Sequence, residues 1–199
     1  MALNFAEKLK GLLLNPVETL RQLREEGLGD ALTYFIIVLV VYAVMSTIVS
    51  MAILQGVFAI TGTAFPELGT WMPLYLFGAA IVGGLIGVFV GGAWLHLWVY
   101  VFGGRKGYLQ TVKSLMYGST PVMLLGWIPV VSIIGAIWAF FLQILGIREL
   151  HGISTGQAVI AVLIAIVIPL IILILLAAFF LISSVSSSPV PFGPVPLPS

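Results

Sequence analysis

Few residues in this chain carry the side chains that chemistry needs. His96 is the one strongly ionisable residue inside a long apolar stretch, and intramembrane ionisable groups are candidate functional sites. An imidazole there can hold a proton, coordinate a metal, or bond across to Gln143 or Tyr117. It lies about 12 Å along the helix axis from the middle of its stretch. It also sits among Trp94, Trp98 and Tyr100, which read as an interfacial aromatic belt. A structural His bonded near the inner interface is therefore the favoured reading. Arg148, Glu149 and His151 form a second group in a short polar segment, able to meet a partner or a lipid headgroup. One Arg beside one Glu also suits an ordinary solvated loop.

Catalytic patterns do not assemble. The sequence has no Cys, no H-E-x-x-H and no phosphate-binding G-x-x-x-x-G-K. Asp30 is the only Asp, and Glu67 and Glu149 fall in segments expected on opposite membrane faces. The residues thus point to no enzyme, no metal and no cofactor. The formal charge of +1 argues against nucleic acid as a partner.

The elements that carry these residues are membrane spans. The chain has 199 residues, 61% hydrophobic and 8% charged, against about 25% charged in a soluble domain. The expected class is all-α: a polytopic transmembrane helix bundle of five spans with a cytoplasmic amphipathic arm. The arm covers 1–29, the membrane domain 30–183, and a Ser/Pro-rich disordered tail 184–199. The predicted spans are 31–54, 74–102, 114–127, 130–147 and 158–182. The first 30 residues hold five acids and no apolar run long enough for a signal peptide, so the first span or the bundle directs insertion.

In the arm, Asn15-Pro16-x-Glu18 predicts a capped helix with Val17, Leu20 and Leu23 on one side and an Arg21–Glu25 pair. Gly27 and Gly29 are its expected stops. It lies on the membrane surface, packs beneath the bundle, or is a solvated lead-in to the first span. The second span carries Ala79, Gly83, Gly87 and Gly91 at four-residue spacing, with Ala80, Gly84, Gly92 and His96 in an adjacent row. Small residues let helices approach closely in lipid, so the ladder is read as packing inside the bundle rather than as a dimer face. The run Ser114–Ile147 is too long for one span at about 50 Å, against about 30 Å of hydrocarbon. Pro121 and Pro129 mark a kink and a hairpin there, and Pro169 a kink in the last span.

Charge sets the orientation. With five spans, all eight Lys and Arg fall in the arm, the Gly103–Lys113 segment and the Ile147–Thr155 segment. The opposite face carries Glu67 and no cation. That is the positive-inside pattern, with the N-terminus cytoplasmic and the C-terminus outside, in the plasma membrane if the host is prokaryotic.

These features together resemble the Yip (Ypt-interacting protein) domain family. The resemblance covers about residues 10–182. It is carried by Asn15-Pro16-x-Glu18 with Leu20, Leu23 and Arg24, and by the Gly-rich second span ending at His96. Gly103-Gly104, Tyr117-Gly118-Ser119-Thr120-Pro121, Trp138, Gly146, Glu149 and His151 follow in order. It implies a five-helix membrane protein with a cytoplasmic N-terminus. Eukaryotic members act in vesicle trafficking and bind prenylated Rab-type GTPases and each other. The arm here is short and lacks the acidic and aromatic motifs of the longer arms, which tells against GTPase binding. The chain is more similar to compact archaeal and bacterial members. The expected function is a non-enzymatic, membrane-organising or partner-recruiting scaffold, its partners being membrane lipids and a protein or a second copy of itself. The alternative is a transporter or channel. The spans offer so little polar lining that its solute would be apolar or lipid-like.

Overall fold

A computed structural model describes residues 3–63 and 70–186, and these are helical with no strand. The arm forms α1, Phe5–Leu14, and α2, Pro16–Leu23. Among the described residues, four helices are long and apolar enough to cross a membrane. They are α3, Leu28–Thr61; α4, Met72–Val101; α7, Val131–His151; and α8, Thr155–Ser186. Between α4 and α7 lie two shorter helices, α5, Tyr108–Gly118, and α6, Thr120–Leu125. The predicted third span, 114–127, is thus a broken segment. Pro121 has no N–H to continue the α5 ladder and instead sits in the first turn of α6. The expected turn near Gly126–Pro129 is present, and α8 runs through Pro169 as one helix.

Helix ends differ from the sequence reading where caps act. Asn4 is the arm's side-chain cap: Glu7 N–H donates to Asn4 Oδ1 at 2.9 Å, and Asn4 N–H donates to Glu7 Oε2 at 2.9 Å. Asn15 does precede Pro16 at the start of α2, but its side chain makes no cap bond. Its carbonyl accepts the Thr19 hydroxyl instead, at 2.8 Å. Gly27 caps α3, whereas Gly29, expected as a stop, lies inside that helix. The first span is longer than the predicted 31–54 because its apolar run continues to a left-handed Gly62, φ 67°. Glu67 and the tail beyond 186 lie outside the described residues.

The chain divides into two units, Met1–Val162 and Leu163–Ser199. In the first, α3 packs against α4, and α5–α6 folds back on α7 as an antiparallel hairpin. The hairpin register is set by close approaches: a Cβ at Gly135 would stand 3.0 Å from Leu125 Cβ, and one at Gly118 would stand 3.2 Å from Gln143 Cα. The arm is packed, with α2 on α7 and α1 on α6. Leu12, Leu20 and Leu23 are fully buried and join Phe35, Leu39, Met116, Tyr117 and Leu150 in one core. Burying three such side chains from water stabilises the docked arm by roughly 1.5–3 kcal/mol each. In the second unit, the α8 residues from Leu170 to Ile182 are apolar and exposed.

The small-residue ladder does not pack as expected. Ala79, Gly83 and Gly87 are exposed, and a Cβ at Gly83, Gly87 or Gly91 would meet nothing within 4 Å. The adjacent row receives the neighbours. At Gly84 a Cβ would stand 2.6 Å from Leu39 Cδ1, and at Gly92 it would stand 2.9 Å from Val112 Cγ2. The reason is rotation: the α4 face that meets α3 and α5 is centred on Gly84, Val88, Gly92, Leu95 and Val99.

Candidate functional site at the charged end

The arm, the start of α5 and the end of α7 meet at one end of the first unit, and most of its buried polar groups gather there. Glu26 is the centre. Lys8 Nζ donates to Glu26 Oε2 at 2.7 Å, and Tyr117 Oη donates to the same oxygen at 2.9 Å. Lys113 Nζ donates to the carbonyls of Glu26 and Arg24, at 2.7 and 2.9 Å. Burial lowers the Lys113 pKa from the ordinary lysine value, and the carboxylates of Glu25 and Glu26 oppose that shift. Tyr34 hydrogen-bonds Thr120 at 3.0 Å and stacks obliquely on both Tyr117 and Phe5. The segment after α2 is therefore clamped by side chains from α1 and α5.

Glu149 makes the second junction. Its Oε2 accepts Arg21 Nε at 2.9 Å, and its Oε1 accepts Arg148 Nε at 2.8 Å. Arg148 also donates to Thr155 at 3.3 Å. Arg148, Glu149 and His151 lie in the last turns of α7, not in a loop, because the helix continues to a left-handed Gly152. The expected Arg21–Glu25 pair does not form. Glu25 is 89% exposed with Arg24 3.9 Å away, while Arg21 reaches α7.

His96 and His151 share one hydroxyl. His96 Nδ1 is 2.8 Å and His151 Nε2 2.9 Å from Thr111 Oγ1, with the ring centroids 5.9 Å apart. A hydroxyl has one proton, so Thr111 can donate to at most one imidazole and at least one imidazole donates its N–H to Thr111. His151 Nδ1 is buried without a partner beside Gly104, where a Cβ would stand 3.0 Å from it. A bare lone pair there is tolerated better than an orphaned N–H. That favours His151 Nε2–H donating to Thr111 Oγ1, which leaves the hydroxyl proton available to His96 Nδ1. Neither Gln143 nor Tyr117, the partners weighed from sequence, reaches His96. Gln143 Nε2 donates to Ser114 Oγ at 2.9 Å, and Tyr117 turns to Glu26.

The structure brings His96 together with His151, and Arg148 with Glu149, while Tyr117 and Gln143 serve separate contacts on α5. Sequence reasoning missed Lys8, Glu26, Thr111, Lys113 and Ser114. A partial signal existed for the last: Ser114 and Gly118 are four apart on α5, a small face that admits Gln143. Among the described residues no group of three or more His, Cys, Asp or Glu is placed to hold a metal ion. An apolar groove of about 350 Å³ opens where Leu13 meets Pro121, Leu124, Ile134, Trp138 and Phe141. No curated protein and no solved structure matches this chain. The sequence model of the Yip1 domain, however, matches residues 10–191, nearly the whole length, and the chain belongs to the Yip1 domain family.

Proposed function

We propose that this is a non-enzymatic integral membrane protein that organises membrane or recruits a protein partner through its charged end. The observation that carries the reading is the docked arm. Arg21, Arg24 and Glu26 are tied to α5 and α7, and Lys8 to Glu26, so the segments that hold every Lys and Arg converge on one face. Positive charge marks that face as cytoplasmic, which puts the N-terminus inside and, after an odd number of crossings, the tail outside. In a prokaryotic host the membrane is the plasma membrane. His96, Thr111 and His151 hold α4, α5 and α7 together at this face. Tyr117 and Gln143 hold the arm and the hairpin, and Arg148 and Glu149 offer charge at its rim.

Crosslinking in the native membrane tests the role. Recovery of one specific protein, or of a second copy of the chain, is the expected result, and recovery of random neighbours alone would sink it. Orientation is tested separately with Ser187→Cys, since the chain has no Cys. An impermeant thiol reagent on intact cells should label it. The transporter reading draws on the groove at Leu13 and Trp138, whose lining is wholly apolar and suits an acyl chain. It predicts uptake or flipping of a lipid-like solute by proteoliposomes, which the scaffold reading does not.

A further inference from the structure

The depth of the α5–α7 hairpin follows from three placements. The arm fixes a polar level beside it: Phe5 packs on Tyr34, Tyr34 bonds Thr120, and Leu13 lies against Pro121 and Leu124. At that level α1 presents exposed Glu7 and Lys10. Past Thr120 the hairpin has only the six residues of α6, about 9 Å of helix, before it turns. Past Tyr34, α3 runs on to Thr61, about 40 Å, against a hydrocarbon core of about 30 Å. Burial agrees, since α3 has no buried residue after Ala43 and α4 has none before Val88. The outer parts of both helices extend past the hairpin. The apparent sufficiency of α7, 21 residues long, is taken up by its last turns, which run beside α2 and end in Arg148, Glu149 and His151.

The turn itself is built for a place without water. Residues 124–134 read LLGWIPVVSII, with no charge, and Val130, Ile133 and Ile134 are 79%, 62% and 63% exposed. Most of its backbone donors, though not the N–H groups of Trp127 and Val130, bond locally. Gly126 N–H donates to Val122 O at 2.7 Å, Ile128 to Leu125 at 3.1 Å, Val131 to Pro129 at 2.8 Å, and Ser132 to Ile128 at 2.9 Å. Pro129 has no N–H to satisfy. A turn in hydrocarbon must meet its own hydrogen bonds, whereas a turn in water need not.

We infer that α5, α6 and α7 form a re-entrant hairpin. It enters from the cytoplasmic face and turns back inside the bilayer, so that the first unit displaces inner-leaflet lipid that it does not displace from the outer leaflet. The side of entry rests on the orientation proposed above. The termini keep the same sides as with five crossings, because three spans and a hairpin also make an odd number. A membrane-organising role thereby acquires a physical basis: an asymmetric insertion strains the two leaflets unequally.

Single cysteines in the full chain test this. An impermeant maleimide on intact cells should label Thr63→Cys, and Lys106→Cys only after permeabilisation. Pro129→Cys, with Ile133→Cys as a second tip position, should resist the reagent in both conditions. A thiol-attached fluorophore at either tip position should be quenched most by lipids that carry the quencher deep in the acyl chain. Labelling of the tip from outside, or strongest quenching by headgroup quenchers, would establish a full crossing and overturn the hairpin. Labelling of Lys106→Cys instead of Thr63→Cys on intact cells would reverse the orientation, while the tip's quenching depth would still decide the hairpin.

Discussion

Lys8 Nζ lies 2.7 Å from Glu26 Oε2, and the two side chains are only 9% and 11% exposed. The pair joins the first helix of the arm to the segment that leads into the first long helix. A buried ion pair contributes little when intact compared with what is lost when one partner is removed, because the other charge is then stranded. Glu26→Gln should destabilise the protein by roughly 3–5 kcal/mol. It leaves the Lys8 ammonium without its counter-charge and weakens the acceptor for Tyr117. Glu25→Gln, at an exposed pair, should change stability by less than about 0.5 kcal/mol. Thermal unfolding in detergent separates them, and equal effects would show that Glu26 is not a clamp.

The shared hydroxyl gives a second prediction. Thr111→Val keeps the volume of a buried side chain but faces both His96 Nδ1 and His151 Nε2 with a methyl group. An unsatisfied buried polar group costs roughly 1–3 kcal/mol, so Thr111→Val should lower stability by that order. Thr111→Ser should retain most of it. Nitrogen NMR of the imidazoles should find His151 protonated at Nε2 in the native chain and redistributed in Thr111→Val. An unchanged His151 tautomer in that variant would mean that Thr111 does not set it.

Much of the architecture was legible because apolar runs and their breakers are local. The hairpin turn could be placed from Gly126 and Pro129, and α2 from Asn15-Pro16, since Gly and Pro act on their own backbone. The helix end at Thr61 was underestimated because an apolar run does not stop where the bilayer does, and the end at Ser186 because Ser183 and Ser184 continue α8 with hydroxyls bonded back to Phe179 and Leu181 carbonyls. Partners were the weakest inference, because they depend on helix rotation and on contacts distant in sequence. Arg21 meets Glu149, not the nearer Glu25. His96 was singled out by its charge alone, yet its partner Thr111 is one of many unremarkable hydroxyls. The rotation of α4 by about one residue also exchanged the packed row for the exposed one.

The close approaches and the open face of the small residues are testable with single methyl groups. A Cβ at Gly118 would stand 2.5 Å from Gln143 Oε1 and 3.2 Å from Gln143 Cα, so the α5–α7 approach leaves no room for it. Gly118→Ala should destabilise by about 1–3 kcal/mol through overpacking. Gly83→Ala and Gly87→Ala place their methyls in open space and raise helix propensity, so each should be neutral or stabilising by up to about 1 kcal/mol. The comparison is made by unfolding in one detergent. A large loss from Gly83→Ala would place a neighbouring helix or a second copy of the chain on that face.

Val130 is the one described non-glycine residue with positive φ, at 67°, and it is β-branched. The conformation is a γ-turn: Val131 N–H donates back to Pro129 O at 2.8 Å around it. Such backbone costs on the order of 1–3 kcal/mol for a residue with a Cβ. The side chain offsets little of this within the chain, being 79% exposed. Val130→Gly removes the steric conflict but enlarges the freedom of the unfolded chain, which cancels part of the gain. The expected net result is stabilisation by about 1 kcal/mol, read as a higher midpoint in detergent unfolding. Val130→Ala should stay within about 0.5 kcal/mol of the native chain, because its Cβ keeps the strain. If Val130→Gly instead loses stability, the valine side chain is holding the turn through its contact with lipid or detergent. Burial of the valine side chain would then outweigh the backbone strain at this tip.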